Sequence, residues 1–295
     1  MKDHKFKGLG IALITPFKMD GSVDYEGLLS LVDYHMKSGV DFMCILGTTA
    51  ETPCLTREEK SEIRNRVVKH VKGRLPILMG CGGNNTAAVV EEIKNTDWTG
   101  IDGILSVCPM YNKPTQEGLY QHFRAIAEAS PLPVVLYNVP GRTGVNLMAD
   151  TTLRLAHDFD NIVAIKEASG KIDQIKEILE KRPEGFDVIS GDDSLTLQVM
   201  KAGGVGIISV VGNAIPREFA RMVHLMQEGR LAEATIINDE LFELYSLMFI
   251  DGNPSGVKSA LHSLGKIENK LRLPLVPATE RTDKRIAEIL KDITI

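Results

Sequence analysis

A lysine that closes an apolar run is the residue whose setting most suggests chemistry. Lys166 ends the run NIVAI (161–165), whereas Lys60, Lys69, Lys171 and Lys176 lie in stretches of helical patterning, where solvated faces account for them. Partial burial disfavours an ammonium ion, and the free amine that it favours can attack a ketone carbon to form a Schiff base. The structural alternative is a lysine that snorkels to a rim or pairs with Glu167, and position alone does not choose between them. Schiff-base chemistry moves protons three times: water leaves a carbinolamine, a proton leaves the carbon alpha to the imine, and the product oxygen is protonated. Tyr137, Tyr111 and Thr48 also close apolar runs and offer hydroxyls for that work. A phenol ordinarily keeps its proton at neutral pH (reference pKa about 10), so a linked set is needed. Taken singly, each tyrosine reads more plainly as an amphipathic rim residue with a satisfied hydroxyl.

Two further groups suit carboxylates. Thr48 and Thr49 follow Gly47 in a turn whose N–H groups and hydroxyls could hold one, against the alternative of a turn or capping role. Arg142, in Gly141-Arg142-Thr143-Gly144, offers a fork-shaped guanidinium for a second, although an isolated arginine is a weak signal.

These residues need a scaffold that brings strand ends together. Eight short apolar runs recur: GIALITP, VDFMCILG, LPILMGCGG, IDGILSVCP, LPVVLYNVP, NIVAIKEAS, FDVISGDD and VGIISVVGN. Each is nearly continuous in aliphatic residues, as expected of parallel strands covered on both faces. Amphipathic segments such as 57–71, 86–95 and 118–130 lie between them. Repeated βα alternation means a parallel sheet, and the count of eight favours an α/β (β/α)8 TIM barrel over an open doubly wound sheet. No GxGxxG follows the first run, which removes the usual dinucleotide-binding reading. Further helical stretches near 215–228, 230–250, 254–264 and 280–291 predict a barrel over 1–228 and a C-terminal helical extension over 229–295, packed on it. In such a barrel the site is built at the C-terminal ends of the strands, where the residues above fall.

The 295 residues carry a formal net charge of -5 with Lys and Arg dispersed, so neither nucleic acid nor an anionic membrane is indicated as a partner. No apolar run approaches the roughly 20 residues that span a bilayer. The charged start MKDHKFKG lacks the form of a signal peptide, so the chain is expected to begin at Met1 and to work in the cytoplasm. Cys44, Cys54, Cys81 and Cys108 form no CxxC pair, and no HExxH is present; neither a disulfide framework nor a metal is expected.

Five motifs in register, GTTAE (47–51), PMYNKPTQEG (109–118), LYNVPGRTG (136–144), IKEASG (165–170) and SGDD (190–193), resemble the dihydrodipicolinate synthase / N-acetylneuraminate lyase family. The likeness extends from ALITPF (12–17) to RLPLVP (272–277). It implies a (β/α)8 lyase without a cofactor, in which Lys166 forms an imine with pyruvate and Tyr137, Thr48 and Tyr111 relay protons. It further implies that Tyr111 acts across a tight dimer interface in a homodimer or a homotetramer built as a dimer of dimers. Thr48 and Thr49 would hold the pyruvate carboxylate, Gly191 and Ile208 would line the site, and Arg142 would bind the carboxylate of L-aspartate 4-semialdehyde. The product would be 4-hydroxy-tetrahydrodipicolinate, in lysine and diaminopimelate biosynthesis. Sister activities that use the same imine, an N-acetylneuraminate lyase or a keto-sugar-acid aldolase, are the nearest alternatives, and Arg142 argues against them. A keto-acid-binding barrel without turnover and a phosphate-binding barrel isomerase are more distant ones.

Three positions depart from the family pattern. Ala50 stands in place of a glycine, so that turn cannot depend on a conformation that only glycine reaches easily. Met110 stands where a tyrosine often precedes Tyr111 and Ala88 where lysine-sensitive members carry a glutamate, while Thr52 and Asn84 remain compatible with the family's effector pocket. Weak or absent inhibition by L-lysine is the expectation.

Overall fold

The computed structural model describes residues 5–293. In chain order it runs β1 (Gly8–Ala12), α1 (Tyr25–Lys37), β2 (Phe42–Ile45), α2 (Arg57–Val71), β3 (Ile77–Gly80), α3 (Thr86–Asn95), β4 (Gly103–Val107) and α4 (Gln116–Ala129). It continues with β5 (Val134–Asn138), the single turn α5 (Pro140–Thr143), α6 (Ala149–Asp158), β6 (Ile162–Glu167), α7 (Ile172–Lys181), β7 (Asp187–Ser190), α8 (Thr196–Lys201) and β8 (Gly206–Ser209). Four helices follow: α9 (Pro216–Gln227), α10 (Leu231–Leu247), α11 (Ser255–Ser263) and α12 (Glu280–Asp292). The strands close in the order β1 to β8, the (β/α)8 barrel expected from the eight apolar runs, with helices extending beyond it.

Local chemistry sets the helix boundaries. The Thr56 hydroxyl accepts from the Glu59 N–H while the Glu59 carboxylate accepts from the Thr56 N–H, a reciprocal cap that starts α2. Asn85 and Thr115 cap α3 and α4 through their side chains.

Two compact units are distinguished within the chain. Among the described residues, one comprises Pro76–Ile208 with residues 5–7; the other comprises Gly8–Leu75 with residues 209–293. In the first unit, Ile104, Val134, Leu136, Ile162, Ile165 and Val188 pack in a single buried core with Phe123 and Ile126 of α4 and Ile175 and Ile178 of α7. Successive strand residues face opposite ways, so Tyr137 and Lys166 lie on the other face of the sheet. A register shift opposite Val134–Val135 leaves Val163 as an extra residue: Val134 pairs with Ile162, but Val135 pairs with Ala164. From there on Tyr137 is opposite Lys166, and Lys166 opposite Ile189.

In the second unit, β1 and β2 pair with Gly10 opposite Phe42, and a Cβ at Gly10 would fall 2.3 Å from the Phe42 ring. Buried Asn213 ties the same unit together: its Nδ2 donates to the carbonyls of Ala12 and Val210 at 2.9 and 3.0 Å. Among the described residues no helix is long and apolar enough to cross a membrane.

Candidate active site

Lys166 is 6% exposed at the end of β6, and its Nζ lies 4.4 Å from the centroid of the Tyr137 ring, itself only 6% exposed. Among the described residues no carboxylate pairs with Lys166. Room for the lysine comes from Gly191, just beyond β7. A Cβ there would come within 2.9 Å of Lys166 Cε and 2.8 Å of Ala168 Cβ, inside carbon–carbon contact distance. The strand-end residues Tyr137, Lys166 and Gly191 thus form a constellation in which an amine rests on a phenol ring beside an open backbone.

The pairing of Lys166 with Glu167 considered as an alternative is not realised, because neighbours along a strand point to opposite faces. Glu167 is buried behind the site and accepts from Asn138 Nδ2 at 2.7 Å, Gln174 Nε2 at 3.0 Å, and the Ser169 N–H and hydroxyl at 3.2 and 2.5 Å. Burial pushes its carboxyl pKa up, and these hydrogen bonds pull in the opposite direction. The same residues hold the segment after β5. Asn138 accepts from the Leu147 N–H at 3.0 Å and donates to Asn146 Oδ1 at 2.9 Å, while Gln174 bonds both Asn146 and the Leu147 carbonyl. Cys108, beside Asn138, is a buried thiol whose pKa is raised by burial and then by the charge of Glu167, which suits packing and not nucleophilic work.

Arg142 sits on α5, on the exposed side of this clamped segment. Tyr111 follows β4 in the left-handed region at φ +72° and is 90% exposed. Its N–H donates to the Thr143 carbonyl at 3.3 Å, joining the loops after β4 and β5. The phenol therefore projects outward and is not brought to Lys166 within the chain. A bulky residue held at positive φ with its side chain in solvent is a costly local choice that points to function. Ile208 is buried on β8, and Asn84 donates to the Met110 carbonyl at 3.1 Å.

Thr48 and Thr49 belong to the second unit and form a short 3-10 turn after β2. Thr48 is half-buried and Thr49 buried. The Thr52 hydroxyl donates to the Gly47 carbonyl at 2.8 Å, and Thr15 donates to the Ala50 carbonyl at 2.8 Å, so the turn is held from both sides. Glu51, at φ +54°, sends its carboxylate inward to Lys258 Nζ at 2.5 Å, with both side chains fully buried. The second Glu51 oxygen accepts from the Arg272 N–H at 3.0 Å. Burial pushes the Lys258 pKa down to about 8 against the opposing pull of Glu51. Asn253 Nδ2 donates to Thr49 Oγ1 at 3.0 Å.

Asn138, Glu167, Gln174, Asn253 and Lys258 were not singled out in the sequence as site residues. For Lys258 a signal existed, a lone lysine in the apolar stretch SGVKSAL; for Asn253 none did. Among the described residues no cluster of side chains is arranged to hold a metal ion.

A model of the dihydrodipicolinate synthetase family matches residues 5–293. A 4-hydroxy-tetrahydrodipicolinate synthase of Phocaeicola vulgatus is 58% identical over 295 residues, covering 100% of this chain and 99% of that one. The crystal structure of dihydrodipicolinate synthase from Aquifex aeolicus superposes with a TM-score of 0.94 at 42% identity, covering 97% of this chain and 98% of the other. The chloride-inhibited dihydrodipicolinate synthase of Acinetobacter baumannii, solved in complex with pyruvate, gives a TM-score of 0.94 at 39% identity over 97% and 98% of the two chains.

Proposed function

Because the chain belongs to the dihydrodipicolinate synthetase family, we propose that Lys166 is the residue through which it carries out the family's chemistry. The reaction is that of a 4-hydroxy-tetrahydrodipicolinate synthase: pyruvate condenses with L-aspartate 4-semialdehyde, in lysine and diaminopimelate biosynthesis. The observation that carries the assignment to Lys166 is its setting, a buried amine on the Tyr137 ring with no carboxylate partner among the described residues, in space that Gly191 leaves open.

The Lys166 amine attacks C2 of pyruvate, and the carbinolamine loses water to give the imine. A proton then leaves C3, and the enamine carbon so formed attacks the aldehyde carbon of the second substrate. The resulting alkoxide takes up a proton. The amine of the second substrate next attacks the imine carbon, closes the ring and expels the Lys166 amine, which returns to its starting state. Tyr137, Tyr111 and Thr48 are the hydroxyls that move these protons. Thr48 and Thr49 hold the pyruvate carboxylate, Gly191 and Ile208 line the site, and Arg142 binds the carboxylate of the semialdehyde bidentately. The clamped segment 139–148 supports this last role by fixing the backbone on which Arg142 stands.

The exposure of Tyr111 at positive φ supports a supply of its phenol to a second copy, and hence a homodimer or a homotetramer of paired dimers. Thr52 and Asn84 are the residues left for an effector, without the carboxylate and phenol that Ala88 and Met110 replace.

The decisive experiment incubates the protein with pyruvate, reduces with borohydride, and measures the mass of the intact chain and of the peptide containing Lys166. One adduct on that peptide is expected; none, or an adduct on another lysine, would defeat the assignment. Coupled assays offering aspartate semialdehyde, N-acetylmannosamine or glyceraldehyde with pyruvate then separate the synthase from its sister aldolases.

A further inference from the structure

The Thr49 hydroxyl is 3% exposed, and its oxygen accepts from Asn253 Nδ2 at 3.0 Å. An amide nitrogen can only donate, so this bond consumes acceptor capacity on Thr49 and turns the hydroxyl hydrogen away from Asn253. Among the described residues nothing accepts that hydrogen. A buried hydroxyl with its hydrogen unspent is a donor awaiting an acceptor. The backbone under it does not move freely: Thr15 and Thr52 hold the turn, and buried Glu51 is anchored to Lys258, five residues after Asn253. Asn253 is itself buried, at the start of the segment that leads into α11.

We propose that Asn253 is a positioning residue that fixes the Thr49 hydroxyl as a donor, so that the turn selects an acceptor-only anion, the carboxylate of the keto acid. The inference rests on the reading that Thr48 and Thr49 hold that carboxylate, and it adds the residue that sets the direction of one of the two hydroxyls. It also assigns selectivity to a side chain that needs no contact with substrate. Replacing Asn253 by an acceptor reverses the arrangement: the Thr49 hydrogen turns to residue 253 and presents a lone pair to an incoming carboxylate.

The test compares borohydride trapping by two ketones, pyruvate and acetone, which share the reacting carbonyl and differ in the carboxylate. The variants are Thr49→Val, Asn253→Ala, Asn253→Asp and the double variant Thr49→Val/Asn253→Ala. Loss of a hydrogen bond to a charged group raises the half-saturating pyruvate concentration roughly tenfold in Thr49→Val and in Asn253→Ala. Asn253→Asp is expected to be worse than Asn253→Ala, although it is the closer replacement in shape. Acetone trapping stays within about twofold of the unsubstituted protein in Asn253→Ala and Asn253→Asp, as hydroxyl direction matters only to the carboxylate. The double variant is no worse than Thr49→Val alone, because Asn253 acts through the Thr49 hydroxyl.

Parallel losses with pyruvate and acetone would mean that Asn253 only supports the fold, and would overturn the inference. So would an Asn253→Asp protein that traps pyruvate as well as Asn253→Ala does. If Asn253→Asp does not fold, Asn253→Ala and the double variant still decide. Should Thr49→Val leave pyruvate trapping unchanged, the reading of the threonine turn fails and takes the role of Asn253 with it. Should Thr49→Val weaken trapping while neither Asn253 variant does, the inference alone fails.

Discussion

Lys258→Met should destabilise the protein severely, and by an amount that depends on pH in a specified direction. Lys258 and Glu51 are both fully buried, 2.5 Å apart, and Lys258 additionally donates to the Lys270 carbonyl at 3.0 Å and lies 4.2 Å from the Phe17 ring centroid. Removing the ammonium leaves Glu51 buried with, among the described residues, only the Arg272 N–H to satisfy it, at a cost of about 3–5 kcal/mol near pH 7. The pair is not itself a large source of stability. Burial pushes the Lys258 pKa from 10.5 down to about 8, which corresponds to about 3 kcal/mol in favour of the neutral amine in the folded chain. The folded state therefore releases the proton before the unfolded state does. The cost of charging Lys258 is fully present below pH 8 and is relieved as the pH rises from 8 toward 10.5. Urea unfolding at pH 7.5 and 9.5 reads both effects. The stability gap between wild type and Lys258→Met should widen by about 2 kcal/mol between those pH values. The double variant Glu51→Gln/Lys258→Met, which removes both charges of the pair, should recover most of the loss at pH 7.5. A Lys258→Met protein within about 1 kcal/mol of wild type, or a gap that narrows on going to pH 9.5, would refute the account of a costly but necessary buried pair.

Gly191→Ala should slow trapping of the pyruvate imine at least tenfold, since the added methyl displaces the Lys166 side chain, with a loss of about 1–3 kcal/mol in stability from overpacking. An unchanged trapping rate would show that Gly191 does not create the space for Lys166. L-lysine should inhibit weakly or not at all, because Ala88 and Met110 provide neither carboxylate nor phenol; a steep inhibition curve at submillimolar lysine would contradict this.

Much of the architecture was legible because it is written in continuous runs. All eight strands fall inside the apolar segments identified from the sequence, or overlap them, and helices such as α2 and α3 begin where Thr56, Glu59 and Asn85 place their caps. Lys166, Tyr137 and Gly191 were legible as strand-end residues, and the structure brings them together. The division of labour between strand faces was not. In a strand covered on both sides the polar pairs Tyr137-Asn138 and Lys166-Glu167 look alike, and no alternation marks which member faces which way. Glu167 therefore reads in the sequence as an alternative partner of Lys166, whereas it serves the clamp on the opposite face. Asn253 is unmarked in the sequence, and the lone Lys258 of SGVKSAL names no partner, for a different reason: Thr49 and Glu51 lie far away in the chain, and no local period encodes such a contact.

The bulge at Val163 bears on how this chain can change in length. Val163 has no partner of its own in the pairing of β5 with β6, yet from Ala164 to Glu167 the two strands run in step. The alignment of Lys166 with Tyr137 is thus upheld from the rim, where Asn138 grips Glu167, and not by counting residues from the start of the strand. An insertion or deletion in the first part of β6 can be absorbed at the bulge without rotating Lys166 to the outer face, whereas the same event beyond Ala164 would reverse the face of every residue after it. Lineages descended from such a chain can drift in the length of the strand's approach while its last four residues stay in register.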